Sequence, residues 1–170
     1  MQAATKSTAA FSLIELLLVI VLLMLLALSA SPNLRELWLR HKAQSFMHQL
    51  EQQLRYSRVY AISQQRQVRV CPQLGSVCLN NWDLAPLTST VLAMPGVSGF
   101  ALQQLAPDPA QFSLSYSREQ LIFRPDGSLD LLGSGSFILC ARQQMPWHFR
   151  LSLSQAGRYR ASLVQGLCPR

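Results

Sequence analysis

The stretch that decides the organisation of this chain is residues 11–30, FSLIELLLVIVLLMLLALSA. It contains one charged side chain, Glu15, and no polar side chain between Leu16 and Leu28. A helix of this length spans roughly 30 Å, which matches the hydrocarbon thickness of a bilayer. A cleaved secretory signal is the alternative, because Ala27-Leu28-Ser29 has the small residues of a cleavage site. The length of the apolar run and the carboxylate inside it favour a retained membrane helix.

Glu15 needs an explanation of its own, because a carboxylate in an apolar helix is costly unless a cation pairs with it. One interpretation places it at the headgroup boundary, in a first helical turn where the helix dipole stabilises negative charge. The other supplies the cation from a neighbouring subunit. Cleavage between Ala10 and Phe11 would create such a cation, the α-amino group of Phe11.

The segment Ala10-Phe11-Ser12-Leu13-Ile14-Glu15-Leu16 resembles the class III signal of type IV pilins and type II secretion pseudopilins. Those proteins share a short polar leader, a small residue before the cut, Phe, and Glu four residues later. The resemblance implies that prepilin peptidase removes residues 1–10 and that Phe11 becomes the N-methylated first residue. It also implies that residues 11–31 form a transmembrane helix that later lies in a filament core. The family usually has Gly where this chain has Ala10.

Beyond the apolar stretch, Pro32 is expected to kink the helix without ending it. Apolar residues then recur at helical spacing and predict an amphipathic helix over residues 32–63. The stripe expected to face a sheet consists of Leu34, Leu37, Trp38, His41, Phe46, Leu50, Leu54 and Ile62. His41 and His48 lie seven residues apart, so they are interpreted as ordinary helix histidines and no metal site is expected.

From Gln67 onward the period of the apolar residues changes to two, which is typical of strands. The predicted strands are Gln67–Cys71, Phe112–Ser117, Leu121–Pro125, Ser128–Leu132, Phe137–Arg142, Trp147–Ser154 and Arg158–Val164. Pro125-Asp126-Gly127 predicts a tight turn, and residues 80–110 are expected to be a long loop or irregular edge. The predicted fold is therefore α+β, with a long N-terminal hydrophobic helix continuing into an amphipathic helix packed on antiparallel β-sheet. Residues 64–170 form the β-rich globular domain, with a basic C-terminal segment.

All four cysteines, Cys71, Cys78, Cys140 and Cys168, fall in this domain. In an exported domain disulfides are expected, and four cysteines allow three pairings. The favoured pairing joins Cys71 to Cys78 across a short loop and Cys140 to Cys168 across the C-terminal segment. A zinc cluster is the alternative, which the spacings disfavour because none is C-x-x-C.

The chain has none of the usual catalytic or nucleotide-binding motifs: no P-loop, no G-x-G-x-x-G, no G-x-S-x-G and no H-E-x-x-H. His148 lies among strand residues, and the sequence around it shows no set of base, nucleophile and orienting group that would indicate catalysis. We expect a protein that is not an enzyme and that has no cofactor.

The formal net charge is +7, and thirteen of the fifteen cations are arginine. Arginine binds phosphate and carboxylate groups through two parallel hydrogen bonds, so this excess indicates anionic partners, with simple solubility as the alternative. The distribution is uneven, because no acidic side chain follows Asp130. The arginines after that point are Arg142, Arg150, Arg158, Arg160 and Arg170.

Within this acid-free segment, Gly157-Arg158-Tyr159-Arg160 places two guanidinium groups at positions i and i+2. A strand would project both on one face about 7 Å apart, close to the spacing of consecutive phosphates along a DNA strand. Tyr159 would either stack on a base or pack inward on the opposite face. The alternative is an edge strand that carries charge as protection against aggregation.

Three further segments resemble a narrower family. Leu121 to Gly127 is similar to the (Ile or Leu)-x-F-x-P-x-G motif of the GspH, FimT and FimU group of minor pseudopilins and minor pilins. Ser154 to Arg160 is similar to the S-x-x-G-R-x-R segment near their C-terminus. Val70-Cys71, Cys78 and Trp82 resemble their C…C…W stretch, although the glycine often found after that tryptophan is missing here.

Resemblance to the FimT type implies a minor type IV pilin that binds DNA during natural transformation. Residue by residue it assigns DNA contact to Gly157, Arg158 and Arg160, and charge alone adds Arg142, Arg150 and Arg170. The implied partners are DNA, other pilins and prepilin peptidase. The implied location is the inner membrane, with one span and a periplasmic domain, and afterwards a pilus or pseudopilus. The alternative is a structural subunit of the FimU or GspH type that primes a type IV pilus or a type II secretion pseudopilus and binds only other pilins.

Overall fold

The computed structural model describes residues 12–75, 77–83, 86–92, 101–130 and 133–169, and within these ranges the side chains of residues 27–33 and 101–103 fall outside the description. The predicted leader, the cleavage site at Ala10 and Phe11, and Arg170 lie outside the described residues. The chain divides into two compact units, Met1–Trp38 and Leu39–Arg170. The elements of the described residues are α1 (Leu13–Gln64), β1 (Val68–Leu74), β2 (Val77–Cys78), β3 (Leu87–Val91), β4 (Ala101–Leu105), β5 (Phe112–Tyr116), β6 (Leu121–Phe123), β7 (Gly135–Ala141), β8 (Trp147–Leu153) and β9 (Tyr159–Gln165).

The apolar stretch of the sequence forms the first part of α1. The carbonyl oxygen of Ser12 accepts hydrogen bonds from the amides of Glu15 and Leu16 at 3.0 and 3.2 Å. Glu15 therefore lies in the first turn, where the helix dipole stabilises a carboxylate. Among the described residues, no helix combines the length and the hydropathy that a membrane span requires. The predicted span over residues 11–31 includes Phe11 and side chains outside this description, and it stays a prediction.

The helical backbone of α1 continues through Pro32, as predicted, but the predicted buried stripe is largely wrong. Of its members only Phe46, Leu50 and Leu54 are buried, whereas Leu34, Leu37, Trp38, His41 and Ile62 are exposed. The buried helix residues are Leu39, Ala43, Phe46, Met47, Leu50, Gln53, Leu54, Ser57 and Ala61. The prediction followed large apolar side chains, whereas the helix face that meets the sheets also uses small and polar residues that allow close approach.

The strands form two antiparallel sheets. The first has the order β2-β1-β3-β4, with β6 also pairing with β1, and the second has the order β5-β7-β8-β9. One hydrophobic core joins the buried face of α1 to side chains from both sheets, including Phe123 from the first and Phe137 from the second. The predicted α+β fold, a helix on antiparallel sheets, is confirmed.

Residues 80–110, predicted as a long loop or irregular edge, contain the strands β3 and β4, so the loop alternative is wrong. Among the described strands β4 lies at the edge of its sheet, and its pairing with β3 has a register shift between Ser89 and Thr90. β3 lies between β1 and β4, with Val70 opposite Ser89. The buried Ser89 hydroxyl accepts hydrogen bonds from Gln53 Nε2 and from the Ser57 hydroxyl, both at 2.9 Å. The alternating pattern of β3 was hidden because one of its core positions is a serine paired with the helix.

The predicted strand over residues 128–132 is also not formed as such. Within the described residues, Leu129 makes a single bridge to Phe123, and residues 131–132 fall outside the description. The predicted tight turn at Pro125-Asp126-Gly127 is present, because the Gly127 amide donates to the Arg124 carbonyl at 2.9 Å. Gly127 adopts a positive φ of 79°, which only glycine tolerates without strain.

Both disulfides follow the pairing that the sequence favoured. Cys71 is bonded to Cys78 and Cys140 to Cys168, with Cα–Cα distances of 5.7 and 6.0 Å. The second disulfide holds the segment after β9 against the second sheet, where the Gly166 carbonyl lies 3.4 Å from Nδ1 of the buried His148.

Candidate nucleic-acid interface

Three of the C-terminal arginines, Arg150, Arg158 and Arg160, lie on a hairpin formed by β8 and β9. The Gly157 amide donates to the Ser154 carbonyl, and the Ser154 amide donates to the Arg158 carbonyl, both at 2.9 Å. Gly157 has a φ of 70°, which the turn requires and a larger residue adopts only with strain. The register then pairs Leu153 with Tyr159 and continues to Trp147 opposite Gln165. The hairpin therefore fixes where each arginine projects.

Arg158 and Arg160 are both exposed, whereas Tyr159 between them packs partly against the hydrophobic core. Because side chains alternate along an extended strand, Arg158 and Arg160 project from the face opposite to Tyr159. Of the described strands only β8 pairs with β9, so these arginines lie at the edge of the second sheet. The arrangement at i and i+2 that the sequence predicted is the one the structure contains.

Arg150 of β8 belongs to the same face of the sheet. Arg160 pairs with Ser152, and Arg150 is two residues before Ser152 on the same strand. Diagonal neighbours of this kind lie about 7–8 Å apart, within reach of long side chains. Arg150 is half-buried, and its Nε is a buried nitrogen without a hydrogen-bond partner among the described atoms. The structure thus brings three of the predicted arginines, Arg150, Arg158 and Arg160, onto one hairpin face.

Arg142 does not belong to this surface. Arg142 follows the end of β7 at which Cys140 pairs with His148. Arg160 pairs with Ser152, which pairs with Ser136 at the other end of β7. Positions 136 and 142 are six residues apart along the strand direction, about 20 Å. Arg142 also forms a 2.6 Å ion pair with Asp83 and donates from Nε to the Pro109 carbonyl at 2.7 Å. Its positive charge is therefore paired within the domain, and its predicted DNA contact is not tested by this geometry.

The hairpin turn packs against the Pro125-Asp126-Gly127 turn, and the contact is close. A Cβ atom on Gly157 would overlap the carbonyl oxygen of Gly127, and one on Gly127 would lie 2.6 Å from the Ile62 side chain. The Leu129 amide donates to the Gln155 carbonyl at 2.9 Å. Gly157, predicted as part of the DNA-binding motif, is buried in this contact. Gly157 therefore packs the turn, and its part in DNA binding stays a prediction.

Arg58 of α1 joins the two turns, and sequence analysis missed it. Its Nε donates to the Gly127 carbonyl at 2.9 Å, and one terminal nitrogen donates to the Ala156 carbonyl at 3.1 Å. Both acceptors are distant in sequence, 69 and 98 residues away. We call the meeting of Arg58 with residues 124–127 and 154–157 the two-turn junction.

The two-turn junction has one carboxylate nearby. Hydrogen bonds from the Ser128 hydroxyl and amide lower the pKa of Asp126, and the neighbouring Arg124 lowers it further. The hydroxyl and amide contacts measure 2.6 and 2.9 Å. Asp126 is therefore ionised at neutral pH. It lies on the turn at residues 124–127, and not on the strand that carries the arginines.

The described residues contain no group of three or more His, Cys, Asp or Glu side chains arranged to hold a metal ion. His48 lies 3.6 Å from Glu51 on the same helix. Open cavities flank the second sheet. One of about 310 Å³ lies between α1 and β9 beside Met47 and Leu163, and one of about 450 Å³ lies between Met145, Trp147 and Leu167.

A family model described as type II transport protein GspH matches residues 47–157, more than half of the chain. The chain belongs to the GspH family. Two crystal structures of the type IV minor pilin FimU from Pseudomonas aeruginosa PAO1 share its fold. One is 24% identical with a TM-score of 0.58, and the match covers 75% of this chain and 96% of the crystallised FimU chain. The other is 22% identical with a TM-score of 0.56 and covers 72% and 98%. A search of curated proteins found no match.

Membership of the GspH family makes this chain a pilin-like subunit, a minor pilin or pseudopilin, as the sequence motifs implied. The region matched by the GspH model runs from Met47 in α1 to Gly157 in the hairpin turn. It therefore contains Arg58 and both glycines of the two-turn junction. In this GspH-family domain, two of the segments that carried the sequence resemblance, residues 121–127 and 154–160, are in direct contact.

Proposed function

We propose that this chain is a minor type IV pilin that binds DNA through the arginines of its C-terminal hairpin, for DNA uptake in natural transformation. The observation that carries the proposal is the pair of exposed guanidinium groups, Arg158 and Arg160, at the edge of a sheet. Arg150 lies on the same face of the adjacent strand. No acidic residue follows Asp130 in the sequence, so the hairpin itself contributes only positive charge.

The chemistry of these groups suits phosphate recognition. Guanidinium groups form charge-assisted, paired hydrogen bonds with phosphate oxygens. Contacts of this kind do not depend on base sequence, and each releases condensed counterions, so the affinity falls steeply with salt. Arg170, which also contributes charge in the sequence, is a further proposed contact.

The proposal includes the placement of the subunit. Residues 1–10 act as a prepilin leader that prepilin peptidase removes after Ala10, and Phe11 becomes the methylated N-terminus. Residues 11–31 anchor the protein in the inner membrane with the globular domain in the periplasm, and later lie in the filament core among other pilins. Residues 32–63 form the amphipathic helix and residues 64–170 the β-rich domain. Glu15, in the first turn of α1, pairs with the α-amino group of a neighbouring Phe11.

A structural role without DNA is the second candidate, favoured by membership of the GspH family and by the fold shared with FimU. In that case the subunit primes assembly of a type IV pilus or type II secretion pseudopilus and binds only other pilins. The two-turn junction supports this candidate, because it gives both sequence motifs a packing role that needs no nucleic acid.

A titration of fluorescent duplex and single-stranded DNA with the full-length protein in a neutral detergent separates the two candidates. Changing Arg158 and Arg160 together to Gln should weaken binding and lower the slope of log K against log salt by about one or two. The matched control changes Arg35 and Arg142 to Gln, which removes the same charge outside the hairpin. Equal losses in both variants would indicate nonspecific charge, and no binding by the unmutated protein at low salt would favour the structural role.

A further inference from the structure

The two-turn junction connects the helix to the peptide immediately before the proposed DNA contacts. The Ala156 carbonyl that accepts a hydrogen bond from Arg58 belongs to the peptide bond between Ala156 and Gly157. Arg158 is the next residue. The half-buried Arg58 therefore acts on the backbone that sets the direction of Arg158, while its Nε acts on the neighbouring turn at Gly127.

We infer that Arg58 is a positioning residue for DNA binding, which fixes the hairpin turn so that Arg158 and Arg160 are presented to phosphates at a constant spacing. This inference rests on the proposed function. A turn that contains glycine has many accessible conformations, and ordering it on binding would reduce the affinity. Arg58 orders the turn in the free protein, because it bonds to both turns at once.

This role requires two donors that diverge from one side chain, and the guanidinium group provides them. Nε and a terminal nitrogen diverge from one rigid plane, so a single side chain reaches the carbonyls of Gly127 and Ala156 together. A lysine ammonium has the same charge but is a single point on a flexible stem. Replacement by lysine therefore separates positioning from charge, because the charge stays and the double hydrogen bond is lost.

The geometry of the turn supplies a second support. The Gly127 carbonyl that accepts from Arg58 is also the atom that a side chain at residue 157 would overlap. On the other side of the turn, Gln155 Nε2 donates to the carbonyls of Leu129 and Asp130 at 2.5 and 3.0 Å. The hairpin turn is thus hydrogen-bonded both to α1 and to residues 129–130, which follow the turn at residues 124–127. Arg58 supplies the only charged donor among these described contacts.

The test uses the full-length protein in neutral detergent, with fluorescence anisotropy of a labelled DNA duplex. The variants are Arg58→Lys and Arg58→Met, alone and combined with Arg158→Gln and Arg160→Gln. The matched control is Arg55→Lys, one turn earlier on an exposed part of the same helix. Arg58→Lys should weaken DNA binding on the order of tenfold, because the hairpin turn must then be ordered when DNA binds, while Arg55→Lys should bind as the unmutated protein does.

A positioning role predicts non-additivity, which a general loss of stability does not. In the background that lacks Arg158 and Arg160, Arg58→Lys should have no further effect on the residual binding. Wild-type affinity in Arg58→Lys, or an undiminished effect in that background, would overturn the inference.

Hydrogen exchange distinguishes this inference from the proposed function itself. The amides of Gly157 and Arg158, which bond to Ser154, should exchange faster in Arg58→Lys than in Arg55→Lys. If the unmutated protein binds no DNA, the proposed function fails and the role in DNA binding fails with it, whereas faster exchange would still show that Arg58 orders the turn. Unchanged exchange would exclude even that ordering.

Discussion

Gly127 and Gly157 approach so closely that a methyl group on Gly157 would overlap the carbonyl oxygen of Gly127. The two residues are in different turns, and each has a positive φ. Both turns therefore need glycine for two separate reasons. The positive φ requires it in each turn, and a side chain would overlap the Gly127 carbonyl at position 157 and the Ile62 side chain at position 127. It also places the proposed DNA-binding arginines directly beside a packed and hydrogen-bonded part of the domain.

Gly157→Ala should therefore destabilise the domain by about 2 kcal/mol or more, because it combines a positive φ with overpacking. Gly75→Ala is the matched control. Gly75 has a φ of 64° but nothing within 4 Å of the position of an added Cβ, so it should cost only the conformational strain, about 1 kcal/mol. Thermal unfolding of the two variants measures the difference. Equal losses would show that the Gly127 carbonyl exerts no steric restriction.

Arg142→Gln should leave the affinity for DNA unchanged, because Arg142 is paired with Asp83 and lies at the far end of the sheet from Arg160. It should reduce stability by no more than about 1 kcal/mol, as is usual for a partly exposed ion pair. Parallel DNA titrations and thermal unfolding of Arg142→Gln and Asp83→Asn provide the measurement. A loss of DNA affinity as large as that of Arg160→Gln would contradict the assignment.

Ser89→Ala should destabilise the domain by about 1–3 kcal/mol, because it removes a buried acceptor from Gln53 and Ser57. These hydrogen bonds connect α1 directly to β3. The control is Ser115→Ala on the exposed side of β5, which should change stability by less than about 0.5 kcal/mol. Chemical denaturation of both variants distinguishes a buried network from a general effect of removing a hydroxyl.

The same serine shows where sequence analysis reached its limit for the fold. Periodicity located β1 and β5 to β9, because their core positions are apolar and alternate. It missed β3, in which Ser89 is buried against the polar Gln53 of the helix. It also placed the buried stripe of α1 wrongly, because residues such as Ala43 and Ser57 have no hydrophobic signal strong enough to mark a core face.

The candidate site was predictable to a similar extent. Strand alternation alone was enough to place Arg158 and Arg160 on one face with Tyr159 on the other. Arg58 was not predictable, since its two acceptors lie 69 and 98 residues away and nothing local separates it from the other helix arginines. The ion pair between Arg142 and Asp83 was not predictable either, because a charge count does not show which carboxylate lies beside which arginine.

Loss of the Cys140–Cys168 disulfide should destabilise the domain by about 3–4 kcal/mol, the value that chain entropy gives for a loop of this size. The bond spans 28 residues and holds the chain after β9. Replacing both cysteines by Ser and measuring unfolding in denaturant tests this. The Cys71–Cys78 pair, with a separation of 7, provides the contrast, because its shorter loop predicts a smaller loss. A larger loss at the shorter loop would show that local strain or packing dominates.

The stability of the domain should fall as the pH rises from about 10 to about 12, because of Tyr116. Burial raises the pKa of Tyr116 to about 12, although Arg118 lowers it slightly, and its hydroxyl donates to the Gly133 carbonyl at 2.7 Å. A folded-state pKa above the unfolded value means that the neutral form is favoured by folding. The contribution is therefore complete below pH 10, is lost as the pH passes through 12, and amounts to about 2–3 kcal/mol.

The variant Tyr116→Phe isolates this contribution from the other groups that titrate in the same range, because it lacks the titrating hydroxyl. The measurement is the difference in unfolding free energy between the unmutated protein and the variant, followed across this pH range. A difference that stays constant from pH 9 to pH 12 would contradict the raised pKa.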